Sequence, residues 1–361
     1  MNSSQLVDLK NLRIGYVPIS TSLNSPGDKR RFVYYANKRN LSFEIADPSE
    51  KYDVVVLTQN ADLSIWSQYD NGGAKIVYDL IDSYLAVPKY SFKGWLRGLA
   101  KYFSGQSQRL KFNHWKTIGE MCSRADAVVC STQEQYADIS EFCQNPHIIL
   151  DFHKGVARTF KSNFCANRPF RVVWEGLPQN IGSLKLLRNV LDQLSVLYPL
   201  EVHIVTDPSY NRYLGKYGRT KTLQTAKRIF SDIHFHEWKE SDCADVICSC
   251  DLAVIPLNLN DSFAAGKPEN KLLLLWRMAM PVVTSASPAY VRAMNAAGMN
   301  YAAKDESDWL AMLTKLICNP DAREQAGVTG KAYVHNKFSE EILLARWDAM
   351  FDSLELKTSN S

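Results

Sequence analysis

Short continuous apolar runs alternate along this chain with stretches whose apolar residues recur at helical spacing. Residues 12–17, 52–57, 75–79 and 127–130 are rich in Val, Ile and Tyr and predict strands, and residues 28–39 predict a helix. Strands covered on both faces read as unbroken apolar runs, and parallel strands need helical crossovers, so this half predicts a buried parallel sheet. Residues 151–169 are polar and aperiodic and predict a linker. The alternation then restarts, with strands predicted at 170–174, 201–205, 233–235, 252–255 and 281–284. Helices are predicted at 183–197, 242–248, 270–280, 307–318 and 338–356. The expected architecture is α/β, with two Rossmann-like domains whose parallel sheets face a central cleft. One domain spans 1–165 and takes back the helix at 338–356; the other spans 166–337. Ligands of such sheets bind beyond the carboxyl ends of the strands.

A chain of 361 residues suits two domains of ordinary size. The N-terminus, Met1-Asn2-Ser3-Ser4-Gln5, lacks the basic and apolar regions of a signal peptide, and no apolar run is long enough to span a bilayer. The expectation is a cytoplasmic protein. Eight cysteines form no Cys-x-x-Cys pair, and Cys243, Cys248 and Cys250 read as buried free thiols. No histidine pair stands at i, i+4 and no Asp-x-Asp occurs, so no metal site is expected. The net charge is +4, yet seven Lys or Arg and no acid lie between Lys89 and Lys116. Lys89, Lys93, Arg97 and Lys101 share one helical face, while Phe92, Trp95, Leu96, Leu99 and Phe103 share the opposite one. Such a basic, aromatic-bearing helix fits an anionic membrane surface beside a lipid-linked acceptor; packing on the first domain is the alternative. No motif for nucleic acid accompanies it, and no nucleic-acid partner is expected.

The segment Lys267-Pro268-Glu269-Asn270-Lys271, followed by Leu272-Leu273-Leu274-Leu275-Trp276, reads as a charged loop entering a buried helix. The start of a helix in an α/β protein gathers backbone N–H groups suited to a phosphate, and Lys267 and Lys271 add positive charge there. The next strand ends in Thr284-Ser285, on the same side of the sheet. These residues together predict a site for an anionic, nucleotide-linked ligand.

The second half resembles the donor-binding domain of GT-B glycosyltransferases, most nearly the large retaining family that uses nucleotide-sugars. Four pieces carry the likeness in order: Val172-Val173-Trp174 running into Glu175-Gly176-Leu177-Pro178-Gln179-Asn180; Phe235-His236-Glu237-Trp238; Ala244-Asp245-Val246 through Asp251-Leu252-Ala253-Val254-Ile255-Pro256-Leu257; and Asn270-Lys271-Leu272-Leu273 through Met280-Pro281-Val282-Val283. Val77-Tyr78-Asp79-Leu80-Ile81-Asp82 and Arg124-Ala125-Asp126-Ala127-Val128-Val129-Cys130-Ser131-Thr132 in the first half are similar too. The chain departs from the family at two glutamate positions, which hold Gly266 and Leu274, and at a histidine position, which holds Ile81. The family's Arg and Lys after the first strand of this domain fall near Gly176 and Ile181.

The resemblance implies transfer of a sugar from a nucleotide-sugar to a glycan or lipid-linked acceptor in bacterial surface polysaccharide synthesis, of capsule or of the O-antigen of lipopolysaccharide. No metal cofactor is expected, and the basic helix at 89–103 adds to the cytoplasmic expectation a peripheral position on the inner face of the cytoplasmic membrane. Gly176 and Asn180 are expected at the donor phosphates, with Lys267 and Lys271, and Glu237 and Trp238 at the base. Glu269 or Asn270 is expected at the sugar, although Asn270 equally suits a helix cap. Arg30 or Arg31 is expected to reach the diphosphate. Asp79 or Asp82 is expected to act as base toward the acceptor or to steady charge at the anomeric carbon, with capping as the alternative for Asp82. Two other readings stay open: a nucleotide-sugar 2-epimerase, which has no use for a basic helix, and a non-catalytic GT-B scaffold, which would tolerate loss of Asp82 and Lys271.

Overall fold

The computed structural model of the chain describes residues 9–86, 105, 107–109, 113–213 and 217–356. The chain forms two compact units, one running to Phe152 and resuming at Glu340, the other spanning His153–Ser339. The first holds a six-stranded sheet of β1 (Ile14–Val17), β2 (Glu44–Ile45), β3 (Val54–Thr58), β4 (Lys75–Asp79), β5 (Ala127–Cys130) and β6 (Pro146–Ile148). Its order is β2-β1-β3-β4-β5-β6 and every pairing is parallel. All residues of β3 and β5 are buried, as continuous apolar strands between two helical layers must be.

The helix predicted over 28–39 is two pieces, Pro26–Lys29 and Phe32–Arg39. Arg31 stands between them with φ −131° and ψ −121°, outside the helical region, and its side chain turns inward to Asp79. The closing helix Glu340–Asp352 packs on the first unit. Tyr35 stacks on Trp347 and Phe351 with ring centroids 5.5 and 5.4 Å away. The Tyr35 hydroxyl and the Arg39 Nε–H donate to Asp348 at 3.1 and 2.9 Å.

The second unit holds β7 (Phe170–Glu175), β8 (Leu200–Thr206), β11 (His234–Glu237), β12 (Leu252–Ile255), β13 (Val282–Ser285) and β14 (Ala302–Ala303), in the order β11-β8-β7-β12-β13-β14. All pairings in it are parallel, and a separate antiparallel hairpin pairs β9 (Ser209–Tyr213) with β10 (Tyr217–Lys221). One face of the sheet buries Val172, Trp174, Ile204, Leu252, Val254 and Val283 in a single apolar core.

Residues 153–165, expected with the first domain, belong to the second. Side chains fix them there. The Lys161 Nζ donates to the Cys250 carbonyl at 2.7 Å, and the Arg323 Nε–H donates to the Phe164 carbonyl at 3.0 Å. The domain boundary therefore falls inside the linker predicted over 151–169, earlier than the expected end at 165.

Two small residues set how the helix Pro320–Lys337 lies against the helix Asn270–Arg277. A Cβ on Gly330 would stand 2.4 Å from the Trp276 ring, and one on Gly327 would stand 2.2 Å from the Ala279 carbonyl oxygen. Gly330→Ala gains about 1 kcal/mol of helix propensity but forces apart a packed interface at a cost of about 1–3 kcal/mol. Net destabilisation, read as a lowered urea midpoint, is the expected outcome. An unchanged midpoint would mean that Trp276 has room to turn aside.

Among the described residues, no helix is long and apolar enough to cross a membrane. Lys89, Lys93, Trp95, Arg97 and Lys101 lie outside the described residues.

Candidate functional site

In the second sheet the strand order reverses between β7 and β12, so their crossovers depart in opposite directions. That reversal opens a crevice at the strands' carboxyl ends, where ligands of doubly wound sheets bind. β7 ends there in Glu175 and Gly176, and β12 runs into Pro256 and Leu257. The helix Asn270–Arg277 brings in the lysines. Leu272 to Trp276 are buried all round the helix, while Lys271 in its first turn stays partly exposed.

Lys271 forms an ion pair with Glu175 across this end of the sheet; their side chains are 28% and 7% exposed. Lys267 donates to Asn180 Oδ1 at 2.9 Å. Both lysines expected at the donor thus meet the loop that follows β7. The loop is itself tied down. The Thr206 hydroxyl donates to the Gly176 carbonyl at 2.6 Å, and the Gly176 N–H donates to the Val205 carbonyl at 3.2 Å. A Cβ on Gly176 would press 2.6 Å from the Trp174 ring, so only glycine lets this backbone lie over the indole. Glu175 is the residue that sequence reasoning passed over. Its signal was an acidic side chain ending a buried strand, directly before the glycine.

The end of the sheet carries acids as well as lysines. Burial pushes the Asp207 carboxyl above its usual range, and the nearby Glu237 and Glu175 push in the same direction. Glu237 is exposed at the end of β11, and the Trp238 N–H donates to the Thr206 carbonyl at 3.0 Å. Both therefore stand at the expected end of the sheet. The helix Asn270–Arg277 begins on the Glu269 carbonyl, which accepts from Leu273 N–H at 2.9 Å. Glu269 is the capping residue by position, yet its side chain does not cap. Asn270, half-buried, is the first helical residue, so the expected alternative of an Asn270 cap is corrected. Glu269 is buried near Tyr290, whose phenol is raised by burial and then by the Glu269 charge.

Thr284 and Ser285 are both buried, which corrects their expected exposure to a ligand. Ser285 Oγ accepts from the Leu257 N–H at 2.8 Å and so locks the end of β12 to the end of β13. Its part is to position that turn.

In the first unit the expected residues divide. Arg31 is wholly enclosed and grips Asp79 with two nitrogens, Nε–Oδ2 at 2.7 Å and Nη2–Oδ1 at 2.6 Å. Its Nη1 donates to the Ile149 carbonyl and to Asp151, each at 3.0 Å. Asp79 is likewise buried. Burial works against the Arg31 charge, but the two carboxylates outweigh it and raise its pKa. Arg31 at the diphosphate and Asp79 as a base are therefore corrected: each side chain is committed to the other inside the fold. Arg30 is half-buried, and its carbonyl accepts from Phe152 N–H at 2.8 Å.

Asp82 stands in a different setting. Gln59 Nε2 donates to Asp82 Oδ2 at 2.9 Å, and the Asp82 N–H donates back to Gln59 Oε1 at 3.0 Å. Gln135 Nε2 donates to the carbonyls of Leu80 and Asp82 at 2.6 and 3.1 Å. The Gln59 amide thus holds the carboxylate of half-buried Asp82, and the Gln135 amide holds its backbone, just beyond β4. Asp28, also passed over by sequence reasoning, shapes the turn after β1 by accepting from Tyr16 Oη, Ile19 N–H and Ser20 N–H at 2.7, 2.8 and 3.0 Å.

No protein-family model matches the chain, and neither does any curated protein. Solved structures do resemble it. Anabaena Alr3699/HepE in complex with UDP and glucose matches with a TM-score of 0.64 at 10% identity, over 95% of this chain and 100% of that one. TarM matches with a TM-score of 0.58 at 13% identity, over 82% of this chain and 54% of that one, so the chain spans about half of TarM's length. WaaG, a glycosyltransferase involved in lipopolysaccharide biosynthesis, matches with a TM-score of 0.50 at 14% identity, over 92% of this chain and 85% of that one. With two parallel six-stranded α/β sheets and these neighbours, the chain has the GT-B glycosyltransferase fold.

Proposed function

We propose that the chain is a glycosyltransferase that moves a sugar from a uridine-diphosphate sugar to a glycan or lipid-linked acceptor, in surface polysaccharide synthesis of the capsule or O-antigen kind. The observation that carries this reading is the meeting of Lys271 and Lys267 with Glu175 and Asn180 where the second sheet reverses its strand order. A diphosphate leaving group needs its growing negative charge neutralised, and a helix N-terminus with two ammonium groups supplies that. Uridine is favoured because the HepE structure and that of the pneumococcal O-GlcNAc transferase GtfA both hold UDP. For the acceptor, the first unit offers Asp82, whose carboxylate is steadied by Gln59 and keeps part of its surface open to accept a hydroxyl proton. Leu274, where the family resemblance implies a ribose-binding glutamate, is buried, so the ribose would be met by other groups. The basic and aromatic pattern of residues 89–103 supports association with an anionic membrane face.

The test is the melting temperature of the full chain against millimolar UDP, GDP, ADP, dTDP and CMP. A ligand at a hundred times its dissociation constant stabilises a fold by about 2.7 kcal/mol, a shift of several degrees. UDP is expected to raise the melting temperature and the others not. A shift with another nucleotide alone would overturn the uridine assignment, and no shift with any would remove the transferase reading in favour of a scaffold.

A further inference from the structure

A second cluster of chemistry-bearing side chains lies on the sheet of the second unit, away from the lysines. We propose that Glu201, His203 and His234 bind one divalent transition-metal ion, zinc by the chemistry of the set, with His236 as the outer partner of His203. Glu201 and His203 are two apart on β8 and so face the same side. The parallel register places His234 of β11 directly opposite His203, and His236 is the next residue of β11 on that side.

The donor atoms are already near the spacing that a metal demands. His203 Nε2 lies 3.3 Å from Glu201 Oε2, and His234 Nε2 lies 3.7 Å from Glu201 Oε1. One donor atom from each of the three falls within 4.8 Å of the others. Nitrogen and oxygen ligands about 2.0–2.1 Å from a tetrahedral zinc stand roughly 3.4 Å apart, so small rotations of side chains would complete the set. The other ring nitrogen of His203, Nδ1, is 3.0 Å from His236 Nε2. A metal-bound imidazole characteristically gives its second N–H to such a partner, which fixes ring and tautomer. The rings stack, with centroids 4.7 Å apart for His203 and His234 and 5.2 Å for His203 and His236.

Two further features shape the site. Arg171 Nε donates to Glu201 Oε2 at 3.2 Å, which leaves Oε1 for the ion and places a competing positive charge beside it. His234 is exposed, so the fourth position opens to water. The three ligands stand at least three residues before the carboxyl ends of β8 and β11, about 10 Å along the strands, so the ion would staple edge strand β11 to β8 without entering the lysine site.

The full chain, dialysed against a chelator, is titrated with Zn(II) in a calorimeter. One equivalent is expected, with a dissociation constant on the order of micromolar. His234→Ala, an exposed change that leaves the fold intact, should weaken binding at least tenfold, and His236→Ala should weaken it less. Co(II) should give ligand-field bands without the near-ultraviolet thiolate band that binding at the exposed Cys165 or Cys318 would produce. Absence of stoichiometric heat, unchanged affinity in His234→Ala, or a thiolate band would each overturn the site. None of these readouts depends on whether UDP binds.

Discussion

Lys271→Met is expected to lower the affinity for UDP by about 10–100-fold and to reduce transfer at least as much. Hydrogen bonds from a charged donor are worth about 1.5–3 kcal/mol, and each 1.4 kcal/mol is a factor of ten. The same change should also cost stability, because it leaves the Glu175 carboxylate, 7% exposed, without its ammonium partner. A buried pair broken on one side costs about 3–5 kcal/mol; Lys271 keeps contact with water, so about 1–3 kcal/mol is expected here. Those two effects separate in a second variant. Lys271→Met with Glu175→Gln should recover the stability and not the affinity. Glu175→Gln alone should act in the opposite direction on binding, since Lys271 no longer has to leave a carboxylate to meet a diphosphate. Calorimetry with UDP and urea denaturation of the same three variants check the set. Wild-type affinity in Lys271→Met would show that the lysine is only a structural partner of Glu175.

The strands that carry the fold were legible because β3, β5 and β12 are short, continuous and apolar and β4 and β13 have apolar runs, a pattern that a sheet covered on both faces imposes. The missed elements lack that pattern for identifiable reasons. β2 and β14 are two residues each and sit at sheet edges, where pairing asks little of the side chains. The helix Pro320–Lys337 puts Gly327 and Gly330 where a periodicity search expects large apolar groups, because the neighbouring Trp276 already fills that space. Resemblance and electrostatics singled out Lys267, Lys271, Gly176 and Asn180, and the fold brings these four to one end of the second sheet. The site was misread where one dimension cannot show burial. Arg31 and Asp79 look like exposed chemistry in a string of letters, yet 48 positions of separation close into one buried pair. The same limit hid the histidines: a search at i, i+4 finds helical pairs, whereas His203 and His234 meet only through strand register.

That buried pair yields the largest effect expected on stability. Arg31→Met should destabilise the first unit by about 3–5 kcal/mol, the cost of leaving Asp79 charged and unpartnered in the interior. Against a total of about 5–15 kcal/mol this takes up much of the margin of a typical domain. Neighbouring Arg30→Met, at a half-exposed position, should cost less stability than Arg31→Met, so the pair of variants separates burial from charge. The deficit carries a pH signature. Burial already pushes the Asp79 carboxyl above its usual range, and Arg31 is the group that pulls it back. Without Arg31 the native state holds the Asp79 proton more tightly than the unfolded chain does. Stability then falls as pH rises from about 4, the unfolded carboxyl value, through the raised native one. Urea midpoints of Arg31→Met should therefore approach wild type toward pH 4 and diverge toward pH 8. Arg31→Met with Asp79→Asn removes both charges and should narrow the gap at neutral pH. A deficit independent of pH would mean that the bonds from Arg31 to the Ile149 carbonyl and Asp151, and not its pairing with Asp79, hold this part of the fold together.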